Sequence, residues 1–311
     1  MAANFTGEQF GNKVPGFKAP TQLPRDEAER RSWQAANRAW WQATPMRYDW
    51  REDISHEPGG EAYFKEIDRR FFTSAHKALL GRQQPFDTLI PFDELKDKDV
   101  LEIGVGQGSH AQLIAPHCKS FTGIDLTPTA AAMTAKRLQV FGLQGAILEM
   151  DAEEMSFPAE SFDYIWSWGV IHHSADTQRI LREMRRVLRP NGTATVMVYH
   201  RSWWNYYVVS GFLRGLVRGQ LRDHGSIHSV CQSGTDGAIA RHYTPREWEE
   251  GCRGLLAVDW IRIYGLKTDI LPLPHGRLKS GLEQAIPDSF AHVLLHRLRL
   301  GSFLVAHMRK A

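Results

Sequence analysis

Cysteine is scarce in this sequence. The 311 residues contain three cysteines, Cys118, Cys231 and Cys252, which lie far apart and form no CxxC pair. This arrangement excludes a disulfide framework and argues against a zinc site. We therefore expect no bound metal, structural roles for the three thiols and a reducing compartment.

Long apolar runs are also lacking. The nearest candidate for the ~18 consecutive apolar residues of a membrane span, residues 208–217, is interrupted by Ser210, Gly211, Arg214 and Gly215. The N-terminal residues include charged side chains and no apolar run, unlike a secretory signal. We therefore expect a cytoplasmic protein without a membrane span.

No charge of one sign dominates the chain. The formal net charge is +3 and is spread along the sequence, so composition does not indicate strong attraction to nucleic acid or to an anionic membrane. A small-molecule partner is the expectation. The sequence does not fix the oligomeric state, and a homodimer is compatible with it.

Short apolar runs alternate with helical patterns after residue 96, whereas residues 1–95 show polar and aromatic clusters without strand alternation. The pattern predicts an α/β fold with a seven-stranded, mostly parallel sheet covered by helices on both faces. We divide the chain into a helical N-terminal extension or lid, 1–95, and a main domain, 96–311, with a helical, aromatic insertion at 201–250. The predicted strands are 100–103, 120–124, 146–150, 162–166, 193–199, 258–264 and 302–307.

Three helices have recognisable first residues. Thr127 is predicted to cap a helix that has Pro128 at its first position and runs to about residue 140. Ser174 is predicted to cap the next helix. Thr244 and Glu247 have the spacing of a capping box.

A glycine-rich turn follows the first predicted strand, in the sequence V-L-E-I-G-V-G-Q-G at 100–108. Glycine lets the backbone turn tightly and approach a ligand more closely than a Cβ would permit. A turn of this kind without any ligand is the alternative interpretation of the motif. The motif alone is therefore weak evidence for a nucleotide site.

Two carboxylates strengthen the nucleotide interpretation. Asp125 ends the second predicted strand, 21 residues after Gly104, where a carboxylate can accept hydrogen bonds from both ribose hydroxyls, although it could equally cap the following helix. Asp151 follows the third strand, where a carboxylate can accept from an adenine amino group. The ends of three parallel strands therefore predict one adenosine-binding crevice.

The glycine spacing separates two adenosine cofactors. A dinucleotide site has GxGxxG, so that a pyrophosphate can lie on the helix N-terminus. Here the spacing is GxGxG, and Ser109 stands at the third glycine position of that fingerprint. The tighter turn suits S-adenosylmethionine (SAM), which has a methionine tail and no phosphate.

Residues from about 97 to 200 resemble the class I SAM-dependent methyltransferases of the broad bacterial methyltransferase-domain family, which have a Rossmann-like fold. The matching stretches are 100–108, 122–125, 150–153 with 157–158, 162–166, 170–173 and 182–192. The resemblance implies that the protein is an enzyme with SAM as cofactor, transferring a methyl group by direct displacement to an O, N or S atom of a small molecule.

The resemblance also implies where the cofactor binds. Glu102, Gly104, Gly106 and Gly108 would surround the methionine part of SAM. Asp125 and Leu126 would hold the ribose, and Asp151 and Ala152 the adenine. Ser167 and Trp168 would close the pocket near the sulfonium.

Catalytic residues are harder to assign, because displacement from a sulfonium needs mainly positioning and the exclusion of water. His172, His173 and Tyr199 are the candidates, since imidazoles titrate in the useful range. A structural role for His173, holding the loop after the fourth strand, is the other interpretation.

Aromatic and polar residues near the expected site are candidates for binding the acceptor: Tyr48, His200, Trp203 and Tyr206. Trp204 and Tyr207 accompany them after the fifth strand, and Trp40, Trp41, Trp50, Phe71 and Phe72 form an aromatic N-terminal group. Ordinary burial of these aromatic side chains is an equally strong interpretation.

Other functions on the same fold stay open at this point. RNA or protein methylation is one, although the stretch after the fourth strand reads Ser-Trp-Gly-Val rather than the Asn/Asp-Pro-Pro-Tyr/Phe of amino-methylating nucleic-acid enzymes. A non-catalytic SAM-fold binding protein is another. Arsenic methylation is disfavoured, because it relies on a set of thiols close to the cofactor.

Overall fold

The computed structural model describes residues 13–48, 53–78, 84–273 and 276–311. The described strands are β1 Asp99–Ile103, β2 Ser120–Asp125, β3 Ala146–Glu149, β4 Phe162–Trp168, β5 Leu188–His200, β6 His242–Tyr243, β7 Leu256–Tyr264 and β8 Phe303–Lys310. They form one sheet in the order β3-β2-β1-β4-β5-β8-β7, with β6 paired to β5. The pairs β5–β8 and β7–β8 are antiparallel, and the other described strand pairs are parallel. The prediction of a mostly parallel sheet is confirmed, and the two-residue strand β6 is an addition to the seven expected strands.

Helices flank this sheet. They are α1 Glu27–Ala43, α2 Glu61–Ala78, α3 Ser109–Ile114, α4 Pro128–Val140, α5 Thr177–Val187, α6 Gln220–His224, α7 Ile227–Gln232, α8 Pro245–Cys252, α9 Arg277–Ala285 and α10 Asp288–His292. Two further segments, Trp203–Val217 and Val293–Arg297, are π-helices. No helix among the described residues is both long and apolar enough to cross a membrane.

The central strands are buried on both faces, which explains why they are continuous apolar runs. In β1, Leu101 and Ile103 pack into one hydrophobic cluster, with α5 and α8, while Val100 packs into another on the opposite face. Successive side chains of a strand point to opposite faces, so one short apolar strand serves both layers.

The helix ends follow local capping chemistry. The side chain of Thr127 accepts from the backbone N–H of Ala130, and Pro128 is the first residue of α4, as predicted. Thr244 and Glu247 form the predicted capping box of α8. The prediction for Ser174 is wrong, because Asp176 caps α5 by accepting from the N–H groups of Gln178 and Arg179.

The two N-terminal helices pack directly on the sheet domain. Arg30 of α1 donates to the buried carboxylate of Glu153 over 2.6 Å. Arg137 of α4 is fully buried and pairs with Asp68 of α2. A buried ion pair that loses one partner is strongly destabilised, so these contacts fix both helices against the domain.

Candidate functional site

A cavity of about 1490 Å³ lies at the carboxyl ends of the parallel strands and continues between the π-helix Trp203–Val217 and the C-terminal helices. Most of the predicted site residues border it. They are Tyr48, Gly104, Gly106, Asp125, Leu126, Asp151, Ala152, Trp168, His173, Tyr199, His200 and Tyr206. Its volume exceeds the ~300–1,000 Å³ of a typical site for one small ligand, so it has room for two molecules.

The glycine turn after β1 forms one wall. Gly104, Gly106 and Gly108 have φ angles of 81°, 53° and 78°, in the left-handed region that favours glycine. A Cβ on Gly104 would lie 2.2 Å from the Cγ2 atom of Val170, whereas one on Gly106 would meet no atom within 4 Å. Gly104 is therefore required by packing, and Gly106 presents bare backbone to the cavity.

The carboxylate of Asp125 faces this turn. Its Oδ2 accepts from the backbone N–H of Gly106 at 3.1 Å, and its Oδ1 accepts from the N–H and hydroxyl of Thr127 at 3.0 and 2.9 Å. Burial raises the pKa of this carboxyl, although the hydrogen bonds oppose the effect. Asp125 therefore holds the turn and the start of α4 together, and its remaining lone pairs face the cavity.

Glu102 lies beneath the turn and does not border the cavity. Its side chain is buried, its Oε2 has no hydrogen-bond partner among the described residues, and burial together with Asp125 raises its pKa well above the usual range. The nearest imidazole nitrogen, Nδ1 of His110, is 3.9 Å from Oε1. Burial lowers the pKa of His110 to about 3, so this neighbour is neutral.

Asp151 borders the cavity with its carboxylate already engaged. Nε2 of Gln34, on α1, donates to both carboxylate oxygens over 2.9 and 3.0 Å, and the N–H of Glu153 donates to Oδ1. Oε1 of Gln34 accepts in turn from the N–H of Ala175. Gln34 therefore joins α1 to two loops of the site, a role that no sequence motif indicates.

A buried arginine supports the turn from behind. The guanidinium of Arg137 donates to the carbonyl of Gln107 at 3.0 Å, to the hydroxyl of Ser109 at 3.1 Å and to the side chain of Gln112 at 2.7 Å. Together with the pair to Asp68, these bonds connect α2, α4 and the glycine turn. No sequence motif marks Arg137 for this role, because its partners lie on other elements of the fold.

The two histidines after β4 differ in their surroundings. His173 borders the cavity, and its Nδ1 lies 2.5 Å from the carbonyl oxygen of Ile239, to which it donates. Burial lowers the pKa of His173 to about 3 and lowers that of His172 well below its usual range. His172 is fully buried away from the cavity, and neither ring nitrogen has a hydrogen-bond partner among the described residues. His172 therefore does not border the cavity in this structure, and its catalytic role stays a prediction.

Tyr199 and His200 end β5 at the cavity wall. Burial raises the pKa of Tyr199 well above its usual range, so the phenol is neutral. Nδ1 of His200 donates to the carbonyl of Gly301 at 2.8 Å, and burial lowers its pKa to about 4. Both residues therefore present neutral side chains to a ligand.

Several other predicted residues do not reach the cavity. Ser167 is fully buried, and its hydroxyl donates to the carbonyl of Ile103 at 3.1 Å. Gly108 precedes α3 and contacts α4 instead. Trp203 is 52% exposed and does not border the cavity, and its role in binding the acceptor stays a prediction. Trp50 lies outside the described residues.

A thiol and an imidazole from the insertion also border the cavity, and the sequence patterns did not indicate them. Sγ of Cys231 lies 3.6 Å from Nε2 of His242, and both residues border the cavity. Burial acts to raise the pKa of the Cys231 thiol, but His242, Ser210 and Arg214 outweigh burial and the pKa is lowered. No group of three or more His, Cys, Asp or Glu side chains in the described ranges is arranged to hold a metal ion.

The amino-acid sequence is similar to a known protein family and to curated proteins. Residues 101–196 match the family described as "Methyltransferase domain". The chain is 38% identical over 100 residues to the phthiotriol/phenolphthiotriol dimycocerosates methyltransferase of Mycobacterium leprae, a stretch covering 32% of this chain and 36% of the relative. It is 32% identical over 100 residues to the phosphatidylethanolamine N-methyltransferase of Cereibacter sphaeroides, covering 32% and 49%. The matched stretch thus spans between a third and a half of these curated relatives.

A solved structure shows the same fold over a longer stretch. The protein solved in complex with a methyltransferase activator from Haloferax volcanii superposes with a TM-score of 0.51, at 17% identity, and the likeness covers 83% of this chain and 99% of that one. At this identity the likeness shows the fold alone. The matched residues 101–196 include the glycine turn and the two carboxylates at the strand ends. The chain therefore carries a class I, SAM-dependent methyltransferase domain.

Proposed function

We propose that this chain transfers the methyl group of SAM to a nucleophilic O, N or S atom of a small molecule bound in the same cavity. The observation that carries the proposal is the contact between Gly106 and Asp125, which places bare backbone and a carboxylate side by side at the cavity wall. The three cysteines are free thiols, which supports placing the protein in the reducing cytoplasm.

The described residues fit SAM. Gly106 leaves the space of a side chain open beside the turn, where the methionine tail would lie. Asp125 has acceptor capacity for ribose hydroxyls, and Asp151 for the adenine amino group if Gln34 shares the carboxylate or moves. Bound SAM would supply a methyl group on a positively charged sulfur.

The protein would act mainly by positioning and by excluding water. Trp168 stacks on Trp166 with ring centroids 5.6 Å apart and lies edge-on to Phe86, so its indole is held rigidly at the end of β4. Neutral Tyr199 and His173 face the same space and would orient an acceptor by hydrogen bonds. With a pKa of about 3, His173 is a weak base, so we propose that it holds the loop and that the acceptor arrives without needing a strong base.

We further propose that the acceptor has a large apolar part. Beyond the strand tips, apolar side chains from the insertion and from the C-terminal region line the cavity: Val209, Leu213, Leu271, Leu295 and Phe303. The two curated relatives described above are named for lipid acceptors, which supports an acceptor of this general chemistry. A purely polar metabolite would leave these side chains in contact with water at a cost of about 25 cal/mol per Å².

The test has two steps. Isothermal titration calorimetry with SAM and with its demethylated product measures cofactor binding, and Asp125→Asn should weaken it. Incubation with methyl-labelled SAM and fractionated polar and lipid extracts, followed by mass spectrometry, then identifies products heavier by one labelled methyl. Labelled products in the lipid fraction support the proposal. Binding of SAM without any labelled product from either fraction would favour a non-catalytic binding protein.

A further inference from the structure

The outer face of the π-helix Trp203–Val217 carries a row of apolar side chains. Trp203, Tyr207, Phe212 and Leu216 are exposed and recur every four to five residues, the spacing that places side chains on one face of a helix with i→i+5 hydrogen bonds. The inner face, with Tyr206, Ser210 and Gly215, is buried. The exposed row therefore belongs to a helix whose opposite face is packed against the rest of the domain.

A second apolar row lies beside the first, on the C-terminal helices. Nε1 of Trp203 donates to the carbonyl of Leu298 at 3.2 Å, so the two rows meet. Together they form a surface that we call the apolar rim: Trp203, Tyr207, Phe212, Leu216, Val217, Leu278, Leu282, Phe290, Val293 and Leu298. These side chains are between 38% and 73% exposed, and among the described residues only two other large apolar side chains, Leu23 and Leu148, are comparably exposed.

The charges around the apolar rim are mostly positive. In residues 203–224 and 276–299, the exposed charged side chains are five arginines, Arg218, Arg222, Arg277, Arg297 and Arg299, against two carboxylates, Asp223 and Asp288. Apolar and aromatic side chains bordered by arginines are the pattern of a surface that lies in the headgroup region of a membrane.

The cavity opens at this surface. Val217, Arg218, Gln284 and Asp288 are exposed and also line the cavity. The cavity therefore reaches the protein surface beside the apolar rim.

We infer that the apolar rim binds the interfacial region of an anionic lipid bilayer. A second copy of the chain fits this surface less well, because a two-fold symmetric contact would bring the same arginines of the two copies near each other. Aromatic and leucine side chains gain free energy on leaving water, and the arginines are attracted to lipid phosphates. The inference concerns a surface outside the catalytic chemistry, and its test does not require methyl transfer.

Vesicle sedimentation with the full chain provides the test. The protein should sediment with vesicles of phosphatidylcholine and phosphatidylglycerol, more weakly with phosphatidylcholine alone, and less as the salt concentration rises. The double variant Phe212→Ser/Leu216→Ser should lower partitioning by about tenfold or more, because the bound protein would no longer bury these two apolar side chains in the bilayer. The control Leu148→Ser, at an exposed leucine of β3, should not change it.

A charge variant tests the attraction between the arginines and the lipid phosphates. Arg222→Glu/Arg297→Glu should lower partitioning onto anionic vesicles by about tenfold or more, whereas Arg253→Glu, at an exposed arginine far from the rim in sequence, should have little effect. Circular dichroism confirms that each variant is folded. If one double variant fails to fold, the other double variant and the salt dependence of vesicle sedimentation still test the inference.

Three results would overturn the inference: no sedimentation of the wild type with anionic vesicles, sedimentation that neither variant pair lowers, or a lipid-free dimer in analytical ultracentrifugation that Phe212→Ser/Leu216→Ser dissociates. The last result would assign the apolar rim to contact between two copies. Loss of methyl transfer with intact vesicle binding would instead count against the proposed function alone.

Discussion

The backbone N–H of Gly106 donates to the carboxylate of Asp125 over 3.1 Å, which joins the glycine turn after β1 to the end of β2. The contact links two residues that are nineteen positions apart in sequence and serves two purposes. It fixes a turn whose glycine has a left-handed backbone conformation, and it orients a buried carboxylate toward the cavity.

Replacing Asp125 tests whether its carboxylate binds SAM in the cavity. Asp125→Asn keeps one carbonyl oxygen to accept from the turn but loses the charge, so SAM affinity should fall about tenfold or more, since hydrogen bonds to charged groups contribute about 1.5–3 kcal/mol. Asp125→Ala should also cost about 1–3 kcal/mol of folding free energy, because the N–H groups of Gly106 and Thr127 lose their acceptor. Calorimetry and urea unfolding measure the two effects. Asp93→Asn, at an exposed carboxylate, is the control, and unchanged SAM affinity in Asp125→Asn would remove Asp125 from the site.

Two glycines of the same turn should respond differently to alanine. Gly104→Ala places a Cβ against Val170 and should destabilise the protein by about 2 kcal/mol or more, since both the positive φ and the overlap are unfavourable. Gly106→Ala meets open space and should cost only about 1–2 kcal/mol for its positive φ, while SAM affinity falls because the new methyl group enters the cavity. Thermal unfolding and calorimetry separate the two outcomes. Equal losses of stability in both variants would contradict this assignment.

The buried carboxyl of Glu102 predicts a pH dependence of stability. Its folded-state pKa is raised, by burial first and by Asp125 second, so its contribution to stability is fully present below the unfolded pKa of about 4.3 and is lost as pH rises through the folded pKa. Glu102→Gln cannot titrate. The stability of Glu102→Gln relative to wild type should therefore increase from pH 5 to pH 8.5 in urea unfolding. A constant difference across this range would show that Glu102 is ionised throughout.

Arg137 predicts a coupling between the N-terminal extension and the cofactor turn. Arg137→Met removes the buried partner of Asp68 and the donor to Gln107, and should cost about 3–5 kcal/mol of folding free energy. Limited proteolysis should then cut near α2 before the sheet domain. Arg253→Met, at an exposed arginine, should stay within about 0.5 kcal/mol of wild type. A small loss in Arg137→Met would mean that α2 is held by apolar packing alone.

The strands and the strand-end residues could be predicted because their signals are local. Short apolar runs, the glycine turn and the carboxylates at the ends of β2 and β3 each lie within a few residues of the structure they specify. The cap of α5 was misassigned because Ser174 and Asp176 both have capping side chains, and Ser174 instead donates to Glu153, a residue 21 positions away.

The contacts that could not be predicted join distant parts of the chain. Nε2 of Gln34 donates to Asp151 across 117 positions, and the guanidinium of Arg30 donates to Glu153 across 123 positions. Trp203 was expected at the acceptor because it follows β5, yet the π-helix turns it outward. Net charge likewise gave no sign of the arginines around the apolar rim, which come together only in the folded chain. The predicted division at residue 95 and the roles of the individual site residues remain predictions.

His173 separates two mechanisms in one experiment. Its Nδ1 donates to the carbonyl of Ile239, and its pKa is lowered to about 3 by burial, so the ring is neutral throughout the working range and is a weak proton acceptor. The amide nitrogen of Asn occupies a similar position to Nδ1, so His173→Asn should keep the loop hydrogen bond and much of kcat, whereas His173→Ala should lose about 1–3 kcal/mol of stability and most of the activity. The wild-type kcat should show no inflection from this residue between pH 5.5 and 8. Equal inactivation by Asn and Ala, together with an inflection near neutral pH in the wild type that both variants abolish, would instead identify His173 as a general base, because only proton transfer depends on the imidazole itself.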